Sequence, residues 1–147
     1  MLTLSKKAQI LPASPIRKLV PYADAAKKRG IKVYHLNIGQ PDIESPEVAL
    51  KAVKDNTLKL VAYPNSAGNE SYRKGLARYY QNIGIDVDYT DINVTTGGSE
   101  ALQIALTVTC DPDDEVIVLE PFYTNYNSFA IVNDVKFVPI THPSTKV

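Results

Sequence analysis

Gly97, Gly98 and Ser99 form a turn that could bind an anion. They follow an apolar run at 92–95, typical of a strand, and precede a helical pattern at 101–109. The first N–H groups of a helix have no intrahelical acceptor, the helix dipole favours negative charge there, and glycine lets a ligand approach the backbone. The turn has neither the G-x-G-x-x-G spacing of a dinucleotide site nor the Lys-Ser/Thr of a P-loop. By itself it predicts either a phosphate site or a plain strand-to-helix connection.

Aromatic residues follow the next apolar run along the chain. Phe122, Tyr123 and Tyr126 come after residues 116–119, whose near-continuous apolar character predicts a strand buried on both faces. In a parallel α/β sheet, ligands bind outside the carboxyl ends of the strands, so Tyr123 and the glycine turn could face one pocket. A ring there could stack on a planar heterocycle, although taken alone these residues are more typical of packing.

Tyr63 is a third candidate, because it lies in a segment, 63–69, whose composition predicts a loop. A phenol on a loop can donate a hydrogen bond to a phosphate oxygen. Tyrosines are common in exposed loops, so this residue carries little weight by itself.

The elements that must position these residues alternate between strand and helix from residue 91 onward, which predicts an α/β fold with a mainly parallel sheet. Ser14 and Pro15 mark a helix start, and Pro21 inside that pattern predicts a kink or a later start. The helix at 70–83 is expected to bury a face made of Tyr72, Leu76, Tyr79, Tyr80 and Ile83. The other predicted helices lie at 14–30, from 45, at 101–109 and at 126–132. The predicted strands lie at 92–95, 116–119 and 135–138, and residues 33–38 are predicted to form a short extended run.

Composition and charge argue against several classes of protein. Sixteen basic and sixteen acidic residues balance in a chain of 147, so no net field attracts nucleic acid or an anionic membrane. No run approaches the roughly 20 apolar residues of a membrane span, and no N-terminal segment has the apolar core of a secretory signal. Cys110 is the only cysteine, which excludes an internal disulfide and a multi-cysteine metal site. We therefore expect a reduced, cytoplasmic protein without a metal.

Six motifs taken together resemble one known family, in its order and with its spacing. The motifs are 36–42, Tyr63 with Gly68, Tyr72 with Arg73, 96–102, 111–116 and 120–126. Over nearly all of residues 14–138 the chain is similar to the class I/II aminotransferases, pyridoxal-phosphate enzymes of the aspartate aminotransferase fold. Small departures are tyrosine rather than tryptophan at 123, and aspartate at 113 where the family usually has the glycine of a proline-glycine-aspartate motif.

The resemblance implies a role for each matching residue around the cofactor. The backbone N–H groups of Gly98, Ser99 and Glu100 would hold the phosphate of pyridoxal phosphate, and Tyr123 would stack on its pyridine ring. Tyr63 would reach the phosphate bound by the neighbouring subunit, which implies a homodimer with shared active sites.

The resemblance also implies how the chain is organised. It would comprise an N-terminal arm and small-domain segment, 1–44, and the first part of the large cofactor-binding domain, 45–147. Gly39 would lie in the loop that lines the substrate carboxylate. The expected fold is the N-terminal part of the aspartate aminotransferase-like fold (fold type I), with an incomplete, mainly parallel sheet flanked by helices.

The family's catalytic lysine belongs to the second half of the polypeptide, so no catalytic residue is assigned here and the chain alone is expected to be inactive. Ser71 and Lys74 form an S-x-x-K string, but it falls within a helix and lacks the companion motifs of serine-nucleophile enzymes. The implied reaction transfers an amino group between an amino acid and a 2-oxo acid.

Other functions remain open at this stage. A lyase of the same fold, such as a C–S β-lyase, would differ only in residues that this chain does not contain, and a non-catalytic regulator could use the same cofactor. A nucleotide-dependent oxidoreductase is disfavoured, because no G-x-G-x-x-G follows a predicted strand.

Overall fold

The structure is a computed structural model that describes residues 2–141, and the chain divides into two compact units. Met1–Gln40 with Ala101–Val147 form the first unit, and Pro41–Glu100 form the second. The helices are α1 (Lys6–Ile10), α2 (Val20–Lys28), α3 (Glu47–Lys54), α4 (Glu70–Asn82), α5 (Gly98–Thr109) and α6 (Asn125–Val132), and the strands are β1 (Glu115–Glu120) and β2 (Lys136–Thr141). Short 3-10 turns occupy Arg17–Leu19 and Tyr89–Asp91.

The two strands of the first unit are parallel, with Glu115 opposite Lys136 and Glu120 opposite Thr141. Parallel strands cannot be joined by a tight turn, so α6 makes the crossover between them. At the start of both strands the N–H of Asp113 donates to the carbonyl of Asp134 at 2.7 Å. The α/β class and the parallel pairing predicted from the sequence are therefore confirmed.

The burial of β1 differs from the expectation. Alternate residues along the strand are half-buried, whereas Ile117 and Leu119 remain 67% and 71% exposed. The prediction of a strand buried on both faces is therefore wrong for the described chain, because residues 2–141 cover one face only. The buried apolar residues of this unit are Leu106 of α5, Phe129 and Ala130 of α6, and Val135.

The helix predicted to begin at residue 14 begins late, which is one of the two outcomes that Pro21 predicted. Residues 17–19 form a 3-10 turn whose first N–H, that of Arg17, donates to the Ser14 hydroxyl at 3.3 Å. The α-helix then begins at Val20 with Pro21 in its first turn, where a missing N–H costs nothing. The run at 33–38, expected to be extended, forms no ladder with any described residue, and its last three residues form a turn.

In the second unit, α4 spans the predicted range but buries a different face. Asn69 caps it through hydrogen bonds from the N–H groups of Ser71 and Tyr72. The buried residues are Arg73 and Ala77, whereas Tyr72, Tyr79, Tyr80 and Ile83 are exposed. The prediction that the aromatic face points inward was therefore wrong. The spacing of apolar residues along a helix does not say which side of the helix packs against another element.

The Ser71 and Lys74 string serves the helix itself. The Ser71 hydroxyl donates to Asn69 Oδ1 at 2.7 Å, and the Lys74 ammonium lies 2.6 Å from the Glu70 carboxylate. This hydrogen-bonded contact holds the pKa of Glu70 below its ordinary value and raises the pKa of Lys74. The nucleophile pattern therefore describes a cap and an i,i+4 ion pair.

Residues 92–95 run into the glycine turn without forming a strand among the described residues. They are held instead by a hydrogen bond from the N–H of Val94 to the carbonyl of Ala67, at 3.0 Å. Beside it, Gly68 has a φ of +99°, and a Cβ placed there would lie 2.6 Å from Val94 Cβ. This close approach requires glycine.

None of the helices within residues 2–141 is long and apolar enough to cross a bilayer, and α4, with 13 residues, is the longest described.

We expect Gly68→Ala to destabilise the protein by about 2 kcal/mol or more, because it adds both a left-handed strain and a clash with Val94. Gly75→Ala is the matched control: Gly75 lies inside α4 with open space around it, so alanine should add up to about 1 kcal/mol of stability. Urea unfolding measures both. A Gly68→Ala midpoint equal to that of the wild type would contradict the assignment.

Candidate functional site

The glycine turn is tied down by the side chain of Glu100. Its Oε2 accepts the N–H of Thr96 at 2.6 Å, and the Glu100 N–H donates to the carbonyl of Gly97 at 3.1 Å. The Thr95 hydroxyl donates to the same carbonyl, also at 3.1 Å. The turn is thus fixed by hydrogen bonds within residues 95–100, while residues 96–100 stay exposed.

The start of α5 leaves room for an anion. A Cβ placed at Gly97 or Gly98 would meet nothing within 4 Å, so the backbone can be approached closely. The N–H groups of Gly98 and Ser99 lie in the first turn of α5, where no carbonyl of the helix can accept their hydrogen bonds. The helix dipole also favours a negative charge at this end. The Ser99 hydroxyl supplies another donor. This donor set fits a phosphate group, with Gly98 and Ser99 as its donors, since the N–H of Glu100 is engaged by Gly97.

Tyr123 lies just beyond β1, after the cis peptide between Glu120 and Pro121. Its hydroxyl accepts a hydrogen bond from Asn125 Nδ2 at 2.7 Å, and its ring meets Tyr126 edge-on at 5.8 Å. These contacts fix the ring orientation while leaving the residue 49% exposed. Tyr123 therefore has a face available to a ligand.

Tyr126 has the packing role that the sequence left open for all three aromatic residues. Its ring contacts those of Phe122, Tyr123, Phe129 and Phe137, at centroid distances from 5.8 to 6.4 Å. It therefore joins α6 to β2 and packs against the ring of Tyr123.

A cavity of about 400 Å³ in the first unit adjoins Tyr123. Ile38 lines it, and Gly39, the predicted substrate-loop residue, follows directly in the chain and is exposed. Its lining residues are Ser14, Ile16, Arg17, Val20, Ile38, Tyr123 and Asn125. The structure thus brings Ile38 of the 36–42 motif and two residues of the 120–126 motif to one cavity, together with the start of α2, which the sequence had not assigned to a site.

Tyr63 belongs to the second unit, as does the glycine turn. Its side chain is fully exposed, in an irregular segment between α3 and α4. No described residue covers this phenol, so it is available to a ligand or to another chain.

Arg73 anchors the loop that carries Tyr63, a role that the sequence reading missed. The residue is only 7% exposed, and its guanidinium donates to the carbonyls of Gly68 and Tyr89 at 3.2 and 3.1 Å. It also lies over the Tyr89 ring, 5.4 Å from the centroid. The only signal in the sequence was its place in the Tyr72–Arg73 motif, because an arginine in a helix is otherwise read as solvated charge.

Comparison with known proteins shows the family. The model for aminotransferase class I and II matches residues 31–146. An aspartate aminotransferase of Thermotoga maritima is 33% identical over 125 residues, which are 84% of this chain and 33% of the relative. A probable aspartate/prephenate aminotransferase of Rickettsia bellii is 28% identical over 137 residues, 90% of this chain and 34% of the relative. The chain thus spans about one third of the length of these relatives.

Solved structures of the same family superpose on nearly the whole of this chain and, like the sequence relatives, are covered by it over little more than one third of their length. An aspartate aminotransferase mutant of Thermus thermophilus superposes with a TM-score of 0.83 at 28% identity, covering 98% of this chain and 38% of that one. An alanine aminotransferase of Pyrococcus furiosus superposes with a TM-score of 0.80 at 33% identity, covering 95% and 36%. The fold is therefore a part of the α/β fold of the aspartate aminotransferases. The chain belongs to the class I and II aminotransferases, a family whose cofactor is pyridoxal 5′-phosphate.

We expect Arg73→Met to lower the free energy of unfolding by about 3 kcal/mol, because it removes two charge-assisted hydrogen bonds and leaves the carbonyls of two half-buried residues, Gly68 and Tyr89, without that donor. Arg78→Met, at an exposed position of the same helix, should change it by less than about 0.5 kcal/mol. Urea unfolding compares the two variants. Equal losses would show that Arg73 has no anchoring role.

Proposed function

We propose that the protein to which this chain belongs is a pyridoxal-phosphate-dependent aminotransferase that moves an amino group between an amino acid and a 2-oxo acid. The observation that carries the proposal is the exposed glycine turn at the start of α5, in a chain of this family and with the geometry of an anion site. Because the chain spans about one third of its relatives, the activity is proposed for the complete polypeptide.

In this proposal the chain binds and orients the cofactor. The N–H groups of Gly98 and Ser99 hold the phosphate, aided by the α5 dipole, and Glu100 keeps the turn in shape through Thr96. Tyr123, held by Asn125 and Tyr126, offers its ring to the planar pyridine. Pyridoxal phosphate, when bound, supplies the aldehyde and the electron-withdrawing ring that amino-group transfer needs.

Several finer points rest on the family resemblance and belong to the same proposal. The covalent attachment of the cofactor is provided by a lysine outside this chain. The exposed Tyr63 reaches the phosphate bound by a second copy of the chain, which makes the protein a homodimer. Gly39 lines the substrate carboxylate, residues 1–44 form an arm and small-domain segment ahead of the large domain, and the protein is cytoplasmic.

Amino-group exchange by the full-length protein tests the function. Purified protein loaded with pyridoxal phosphate should transfer ¹⁵N from an amino acid to a 2-oxo acid, with stoichiometric formation of both products, as followed by mass spectrometry. Release of ammonia, pyruvate and a thiol from a cysteine conjugate without such exchange would instead indicate a lyase. Bound cofactor without turnover of any amino acid would indicate a regulator.

Cofactor affinity tests the phosphate site separately. Ser99→Asp puts a carboxylate beside the phosphate, and like charges about 4 Å apart cost about 1.4 kcal/mol or more, so affinity should fall at least about tenfold. Ser71→Asp is the matched control, since it puts the same charge into the first turn of α4. Titration of the apo-protein, followed by cofactor absorbance, gives both affinities. Equal affinities for the two variants would place the phosphate elsewhere.

A further inference from the structure

The N-terminal segment, residues 2–40, is bonded to the rest of its unit through one side chain. None of these residues is buried. Within residues 2–141, only two hydrogen bonds join the segment to residues 101–141, and both come from Lys7. The Lys7 ammonium donates to the carbonyl of Val132 at 2.8 Å and to the carboxylate of Asp134 at 2.6 Å. We call these three residues the Lys7 clasp.

The clasp lies at the turn between α6 and β2, where a cation is favoured. The last carbonyls of a helix have no intrahelical donor and carry the negative end of the helix dipole, and α6 has no basic residue in its own last turn. Lys7 supplies that cation from a distant part of the chain.

Asp134 provides the anion of the clasp at a cost in backbone strain. Its φ is +56°, a left-handed conformation in which glycine is the usual residue after a helix. Glycine would remove this strain, but it would also remove the carboxylate to which Lys7 donates.

Helix α1 depends on the clasp for its structure. It has five residues, all of them exposed, whereas an isolated helix needs roughly 12 to 15 residues to be even marginally stable in water. Its cap, in which the Ser5 hydroxyl accepts the N–H of Ala8 at 3.1 Å, is a local bond. We therefore expect α1 to unfold when Lys7 is released.

The connection from α1 to the cavity beside Tyr123 is short and stiff. Residues 12–15 include Pro12 and Pro15, whose rings fix φ. Ser14 and Ile16 line the cavity, and neither is hydrogen-bonded to a residue of 101–141. The place at which α1 docks therefore affects the position of this cavity wall.

We propose that the Lys7 clasp is a salt-sensitive device that holds α1 and, through it, the cavity wall made by Ser14 and Ile16. When the clasp opens, α1 unfolds and the wall moves away from Tyr123. The side chains of Lys7 and Asp134 are 45% and 52% exposed, so dissolved ions screen their attraction and high ionic strength favours the open state. This inference does not depend on the proposed aminotransferase function.

Hydrogen exchange in the full-length protein, measured by mass spectrometry, tests the clasp. In Lys7→Met the N–H groups of residues 8–11 should exchange about threefold faster or more, whereas those of α5 should be unchanged. Lys7→Arg, which keeps the charge, should restore slow exchange. Lys6→Met is the matched control, because it removes an adjacent charge that lies outside the clasp.

Two results would overturn the proposal. Equal exchange of residues 8–11 in Lys7→Met and Lys6→Met would show that other parts of the full-length protein hold the segment. Faster exchange in α5 as well would show that Lys7 supports the whole fold rather than α1.

Asp134 and Asp113 form a second matched pair. Both have a left-handed φ, but Asp113 contacts Lys136, at 3.0 Å, instead of Lys7. Asparagine tolerates this conformation, so substitution by asparagine removes the charge with little change to the backbone. Asp134→Asn should speed exchange of residues 8–11 about threefold or more, and Asp113→Asn should not. Equal effects of the two would contradict the clasp.

Ionic strength provides an independent result. Raising NaCl from about 0.05 M to about 0.5 M should bring the exchange of residues 8–11 in the wild type close to that in Lys7→Met, and should change the variant little. The same salt effect in both proteins would contradict a salt-sensitive clasp.

Hydroxyl-radical footprinting follows the cavity wall. Because the wall moves away from Tyr123 when the clasp opens, the rate at which this ring is oxidised should rise in Lys7→Met, and in the wild type at high salt. An unchanged rate in a variant whose α1 exchanges fast would show that the clasp does not hold the wall, and the proposal would fail.

Discussion

The parallel pairing of β1 and β2 is the constraint on which the first unit depends. Since parallel strands need a crossover, α6 must lie against the pair. Its Tyr126 then packs against Phe137 of β2. Both strands end at the same edge, where the Thr141 hydroxyl donates to the Glu120 carboxylate at 2.6 Å. The segment that follows β1 is thereby delivered to the edge at which parallel sheets bind ligands, and Tyr123 is part of it.

Short polar anchors, rather than a large core, fix the residues of the candidate site. Glu100 closes the glycine turn onto Thr96, Asn125 holds the Tyr123 hydroxyl, and Arg73 ties Gly68 to Tyr89. Each anchor binds a backbone group or a side chain within one unit, so the local geometry does not depend on extensive burial. This arrangement suits a binding site, because donors that are already oriented lose little entropy when a ligand arrives.

The exposed face of β1 is consistent with the fraction of the family's fold that this chain contains. Parallel sheets are normally covered on both faces, yet Ile117 and Leu119 are exposed in the described residues. The relatives are about three times as long as this chain, and their alignment covers it almost completely. The chain accordingly forms the helices and the two paired strands of its part of the aspartate aminotransferase fold, and one face of the two-stranded sheet is left uncovered by the described residues.

Local sequence signals determined the elements whose ends have a chemical cause. Asn69 caps the start of α4 and Gly84 follows its end, while Pro21 shifts the start of α2 to Val20. The glycine turn marks the start of α5. These signals work because capping and φ restrictions act within a few residues. The motif order was enough to identify the family and its cofactor. The sequence did not predict which segments would pair: residues 33–38 and 92–95 have strand composition but form no ladder in the described chain, since pairing depends on a partner distant in sequence. Tertiary structure alone decided that Arg73 is buried and that Arg17 lines the cavity of Tyr123, because neither burial nor proximity is encoded by the charge of a side chain.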